Sequence, residues 1–156
     1  MVVFLCALSG CGGNRVRPNF QLADSPPQGK ARIYVYRYNP ATRIGDASVS
    51  IDGKVSANLA NRQYVTVLLD PGVHEIEYQP NILVSYSPAK IVLAAESNKT
   101  YYLLLAMKQT NYGPKLTGNP AVPFQPDIQF DSRFERQDVS EALLVLKECN
   151  PAEVLL

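Results

Sequence analysis

Among the 156 residues there is one histidine, His74, and no tryptophan. A lone imidazole argues against a zinc centre, which draws on several His or Cys at close spacing. The cysteines, Cys6, Cys11 and Cys149, do not have that spacing. Gly-x-Ser-x-Gly, the Walker glycine loop and the Rossmann glycine pattern are all missing. No cofactor, no metal and no catalytic residue are therefore expected. Charge of one sign is scarce too. The formal net charge is +1, and Lys and Arg are scattered along the chain. Nucleic-acid recognition needs clustered positive charge, so no nucleic-acid partner is expected. After Leu8 no apolar run approaches the roughly 20 residues that span a bilayer as a helix.

Chemistry concentrates at the N-terminus. Val2-Val3-Phe4-Leu5-Cys6-Ala7-Leu8 is unbroken apolar sequence, and Leu8-Ser9-Gly10-Cys11 follows directly. This resembles the lipobox of bacterial lipoprotein signal peptides: a Leu, two small residues, then the Cys that receives the lipid. The resemblance implies that Leu8, Ser9 and Gly10 are read by the signal peptidase and that the Cys11 thiol takes a diacylglyceryl chain. The protein would be exported, cut before Cys11 and held to a membrane by palmitate-type acyl chains. Residues 1–10 would be the signal peptide, 11–29 the lipidated Cys with a flexible tether, and 30–150 the folded domain. Signal peptides normally open with Lys or Arg; none precedes Cys11 here, and a start site upstream would supply one. Gly12 stands where inner-membrane lipoproteins usually have Asp, so the expected location is the outer membrane, facing the periplasm. The competing reading is a buried N-terminal strand, for which Ser9-Gly10-Cys11-Gly12-Gly13 is poor material.

The tether, Gly12 to Gly29, holds Pro18, Pro26 and Pro27 and few large apolar residues. As a random coil of about 18 residues it would average roughly 25 Å end to end. Packing on the domain is expected only near Phe20 and Leu22. With Cys6 removed and Cys11 acylated, Cys149 would have no partner within the mature chain.

From Lys30 the pattern is β. Ile33 and Val35 alternate with Tyr34, Tyr36 and Tyr38, which puts apolar surface on both faces of one strand. Ser48–Ile51 and Lys54–Ala57 flank Asp52-Gly53, the residue pair favoured in a type I′ turn. Tyr64–Leu69 ends at Asp70-Pro71-Gly72, which stops a strand and turns it. Val73–Tyr78 follows, with His74 in step with Ile76 and Tyr78. Lys90–Ala95 and Thr100–Met107, joined by Glu96–Lys99, are expected to pair. Asp127–Glu135 alternates with Ile128, Phe130 and Phe134 inward. Asp138 is placed to cap a helix, with Glu141 three residues on. Val139, Ala142, Leu143, Leu146 and Cys149 then share one side at helical spacing.

Two stretches fit neither pattern. Pro80–Pro88 carries Ile82-Leu83-Val84 between prolines and suits a short edge strand. Gln109–Pro126 holds Pro114, Gly118, Pro120, Pro123 and Pro126 and reads as a long irregular loop; such loops often carry function. Tyr112, Pro114, Pro120 and Pro123 are its candidate binding residues.

Lys30–Met107 also resembles an uncharacterised family of small bacterial lipoproteins with one β-domain behind the anchor. The residues that carry this are Ile33-Tyr34-Val35-Tyr36-Arg37, Ile51-Asp52-Gly53-Lys54, and Asp70-Pro71-Gly72-Val73-His74-Glu75-Ile76. The last is also similar to PEGA domains, small β-sandwiches of exported bacterial proteins. These are turn motifs, and they imply no catalytic residue. The expected fold is mainly β, an antiparallel sandwich of about seven or eight strands with one C-terminal helix. The expected function is a non-enzymatic binding or assembly module, anchored to the membrane through Cys11 and contacting an envelope protein. A glycan or small-ligand binder using exposed tyrosines is the alternative. A hydrolase would need a buried carboxylate coupled to His74.

Overall fold

The computed structural model describes residues 20–39, 47–80 and 85–155. The segment expected to be the signal peptide and lipobox, including Leu8, Ser9, Gly10 and Cys11, lies outside these, as does Ile82-Leu83-Val84.

Among the described residues ten strands and one helix follow in order: β1 Ala31–Arg37, β2 Ala47–Ile51, β3 Lys54–Leu59, β4 Gln63–Leu69, β5 Gly72–Pro80, β6 Ser85–Tyr86, β7 Ala89–Ala95, β8 Thr100–Asn119, β9 Val122–Gln137, α1 Val139–Leu146 and β10 Asn150–Pro151. A six-stranded sheet has the order β10-β4-β1-β8-β9-β6, and a four-stranded sheet β3-β2-β5-β7. Together they form the expected β-sandwich. Eight strands have five residues or more; β6 and β10 have two each.

The alternation in β1 sets the layers. Its odd residues, Ile33 and Val35, join Val65 and Leu103 against Val49, Ile51, Ile76 and Leu93 of the four-stranded sheet. Its even residues, Tyr34 and Tyr36, pack with Tyr102, Ala142 and Leu146 beneath α1. Tyr34 and Tyr102 stack with ring centroids 5.3 Å apart. Each large apolar side chain so buried contributes about 1.5–3 kcal/mol, which fixes the faces of β1. Buried Arg37 donates through Nη1 to Leu59 O at 3.2 Å and ties β1 to β3 across the sandwich.

The β2–β3 hairpin forms as expected, with Asp52 at φ 51° and Gly53 at φ 75°. The helix is capped by Asp138, whose Oδ1 accepts from Glu141 N at 2.9 Å. Ala142 and Leu146 are buried on its inner side, and Cys149 is buried three residues beyond its end rather than on it; Val139, expected on the same side, is 51% exposed.

Three expectations on connectivity are corrected. The strands at Lys90–Ala95 and Thr100–Met107 do not pair: β7 joins β5, and β8 joins β1 and β9. The Glu96–Lys99 connection instead carries the chain from one sheet to the other, with Asn98 N bonded to Lys30 O at 2.7 Å. The Asp70-Pro71-Gly72 turn also changes sheet, from β4 to β5. The pairing is not wholly antiparallel, since β1 with β8, β10 with β4 and β6 with β9 run parallel. Parallel neighbours need a long connection. Here the chain between β1 and β8 supplies it by building β4 and the whole four-stranded sheet on the way.

Candidate functional site

The stretch expected as an irregular loop is a long β-ribbon. β1 pairs with β8 only from Arg32↔Thr100 to Arg37↔Leu105. β8 then runs on with β9 as far as Asn119↔Val122. β6 meets β9 only at Gln129 and Phe130. Past Asn111 and Gln129 the two strands therefore leave the sheet as an arm with no further strand neighbour among the described residues. Residues 114–123 are all exposed, including Leu116 at 73% and Val122 at 55%.

Prolines fit this ribbon for a geometric reason. Pro114 faces Pro126 in the register. Neither has an N–H, so the pair suits a position where the two residues exchange no ladder bonds and both nitrogens lie at the outer edges. Such edges resist addition of another strand. Pro120-Ala121 makes the turn at the tip, and Pro123 lies opposite an irregularity between Leu116 and Asn119. There Gly118 has φ 73°, and the Thr117 hydroxyl donates to Val122 O. Asn119 Oδ1 accepts from Ala121 N at 3.0 Å and closes the turn.

All four candidate binding residues, Tyr112, Pro114, Pro120 and Pro123, thus fall on one arm. The register sorts its positions. Tyr112↔Ile128, Pro114↔Pro126 and Leu116↔Phe124 alternate with Asn111↔Gln129, Gly113↔Asp127 and Lys115↔Gln125. Period-two alternation puts the first three pairs on one face and the second three on the other. Pro114 and Leu116 therefore share one face, and Gly113 and Lys115 the other. Nearer the body of the molecule on β9, Phe130 and Ser132 are buried and Phe134 packs on the core. Leu116 and Val122 were missed as binding candidates. The signal was the alternation Tyr112-x-Pro114-x-Leu116, masked by the prolines.

The tyrosine stripe is covered. Tyr34, Tyr36, Tyr101 and Tyr102 are at most 6% exposed, so they offer no aromatic surface for a glycan. Burial pushes the Tyr36 phenol well above its ordinary range. Tyr38 lies nearer the surface and donates to Glu148 Oε2 at 2.8 Å. Part of the expected tether packs on the domain: Phe20 meets Tyr64 edge-on at 5.3 Å, whereas Leu22 is 50% exposed.

His74 is held between two turns. Its Nδ1 lies 2.7 Å from Asp52 Oδ2 and its Nε2 lies 2.8 Å from Asp70 O. The second oxygen of Asp52 accepts from Glu75 N at 2.9 Å. That bond, then the one from His74, holds the Asp52 carboxyl below its usual range. With both ring nitrogens engaged, the imidazole has no free lone pair for base catalysis. Asp52 is about half exposed, not the buried carboxylate a hydrolase would need. Glu75 and Glu77 instead pair with Lys90, at 2.6 and 3.3 Å. Cys149 is fully buried, and burial pushes its thiol up to about 12. Among the described residues no group of three His, Cys, Asp or Glu is placed to hold a metal ion.

Residues 27–118 match a family described as a protein of unknown function, DUF2846. The chain belongs to this family. The DUF2846 region runs from just before β1 to the end of the outgoing strand of the arm, and so takes in all four strands of the smaller sheet. The returning strand β9 and α1 lie beyond it. No curated protein and no solved structure matches the chain.

Proposed function

We propose that this protein is a lipid-anchored module of the bacterial envelope, without enzymatic activity, that binds or assembles with another envelope component through the β8–β9 arm. The anchor would be Cys11, following Leu8-Ser9-Gly10, with the domain on the periplasmic side of the outer membrane. A lipoprotein of this kind with a PEGA-like sandwich is in keeping with the turn motifs of β2–β3 and β4–β5. The observation that carries the reading is the exposed arm. A two-stranded ribbon alone is marginally stable in water, and one with an apolar face gains most when something covers it. The occupied nitrogens of His74 and the buried thiol of Cys149 support a binding role over a catalytic one.

The test removes the arm. Asn111 faces Gln129, so deleting residues 112–128 and closing with a two-residue Asn-Gly turn keeps the register. The shortened protein should retain its far-UV circular dichroism and lose its cross-links to neighbours in native envelopes. Unchanged cross-links in a folded deletion would remove the arm from the function.

A further inference from the structure

We propose that residues 150–155 are a releasable strap that fills a strand-acceptor site on the edges of β4 and β3. The site depends on neither the arm nor the anchor. β3 is an edge strand of the smaller sheet, and β4 has only the two residues of β10 outside it. Edges of this kind take up further strands unless they are covered. Here the chain's own end covers both. Asn150 N donates to Arg62 O at 2.9 Å and Ala152 N to Tyr64 O at 2.8 Å, parallel to β4. The segment then crosses to the smaller sheet. There Val154 bridges Ala57 in the antiparallel sense, and Leu155 N donates to Ser56 O at 2.9 Å. Pro151 falls between the two donors to β4, where no N–H is needed.

Two observations separate the strap from the body it lies on. The first is what holds it. Its bonds to β4 and β3 use main-chain groups, and among its described residues Ala152 alone packs on the core cluster with Ala57, Leu59 and Val65. Pro151, Glu153, Val154 and Leu155 are exposed. The second is where burial stops. Ala142, Leu146 and Cys149 are fully buried, and among the described residues none after Cys149 is buried. The chain up to Cys149 is thus held by side chains in the interior, and the chain after it by main-chain bonds. A segment with few buried apolar contacts opens at lower free energy than the core, so the hinge lies at Cys149. Lifting the strap uncovers the outer edges of β4 and β3. An extended segment of another chain would be recognised there by the same groups: donors spaced as in Asn150 and Ala152, and a small side chain where Ala152 sits. Such addition draws affinity from main-chain bonds and specificity from alternate side chains. Being covalently attached, the strap competes at high effective concentration, and an incoming segment must displace it.

The experiment uses the full chain, with hydrogen exchange read at single amides by nuclear magnetic resonance. The Ala152 and Leu155 amides should exchange at least about a hundredfold faster than those of Ile33 and Val35 in β1. Equal protection in the strap and β1 overturns the proposal. Ala152→Asp, which puts a carboxylate against the core, should free the strap amides further. It should leave β1 protection and the far-UV circular dichroism unchanged. Loss of β1 protection would make the strap part of the cooperative core and overturn the proposal too. The Ala152→Asp chain should then bind a synthetic peptide of residues 150–156 saturably, read by fluorescence anisotropy. It should do so at least about tenfold more tightly than the unsubstituted chain, whose own strap competes. The same peptide N-methylated at Ala152 lacks the donor to Tyr64 O and should bind neither chain. Absence of binding to the Ala152→Asp chain, equal binding to both chains, or equal binding of both peptides overturns the strand-acceptor site.

Discussion

His74 Nδ1 and Asp52 Oδ2 lie 2.7 Å apart, and the other ring nitrogen lies 2.8 Å from Asp70 O. A carboxylate and a carbonyl can only accept. Both contacts are satisfied only when the ring carries a proton on each nitrogen, so the site favours the imidazolium. The bond to Asp52 raises the His74 pKa above 6.5, burial opposes, and the Asp70 carbonyl adds to the rise. The charged surroundings are Asp52 and Lys54 on the β2–β3 hairpin, and Asp70 with its Lys30 partner at 2.7 Å.

A group raised in the folded state contributes stability in full below its unfolded pKa, and loses it as pH rises through the folded value. Nuclear magnetic resonance of the imidazole should give a His74 midpoint above 6.5. His74→Ala should cost about 1 kcal/mol in mildly acidic buffer and less in alkaline buffer, read by urea unfolding. A loss that grows with pH would contradict the assignment.

Gly53 has φ 75°, and nothing lies within 4 Å of where its Cβ would be. Gly53→Val should therefore destabilise through backbone conformation alone, by more than about 1 kcal/mol. An unchanged urea midpoint would contradict the turn. Gly53→Asn should be tolerated better, because Asn adopts positive φ more readily.

This hairpin was legible because its determinants are local: Asp52-Gly53 demands its turn wherever it stands. Asp70-Pro71-Gly72 and Glu96–Lys99 were legible as turns but not as crossings between sheets. Turn chemistry is the same whether the chain returns to its own sheet or enters the other. The choice was made by distant burial, Val65 on one side and Ile76 on the other. The parallel pairing of β1 with β8 joins segments some 70 residues apart in the chain (Ile33 with Tyr101) and leaves no local mark. The alternation of β1 put Tyr34 and Tyr36 on one face, and α1 covers that face. Proline content misdirected the reading of residues 109–126, because Pro114 opposite Pro126 satisfies a ribbon at a position where N–H groups are not exchanged.

Cys149 tests the packing of α1. Fully buried, with its thiol pushed up to about 12, it should resist iodoacetamide in the native protein and react once urea unfolds it. Rapid native labelling would mean that the helix does not cover it.

Leu146 is fully buried among Tyr34, Tyr36 and Tyr102. Leu146→Ala should cost about 2–5 kcal/mol, and Leu144→Ala, at 71% exposed, less than about 0.5 kcal/mol. Similar losses at the two positions would place the helix wrongly on the sheet.

The proposed anchor at Cys11 decides the account most directly. Two or more acyl chains are needed for stable membrane attachment. The measurement is incorporation of radioactive palmitate in bacterial cells, using a gene with a complete signal sequence. The chain should take up label and fractionate with outer membranes, and Cys11→Ser should lose the label and stop being processed before residue 11. Unlabelled protein in the soluble cytoplasmic fraction would contradict the lipoprotein reading and the envelope function built on it.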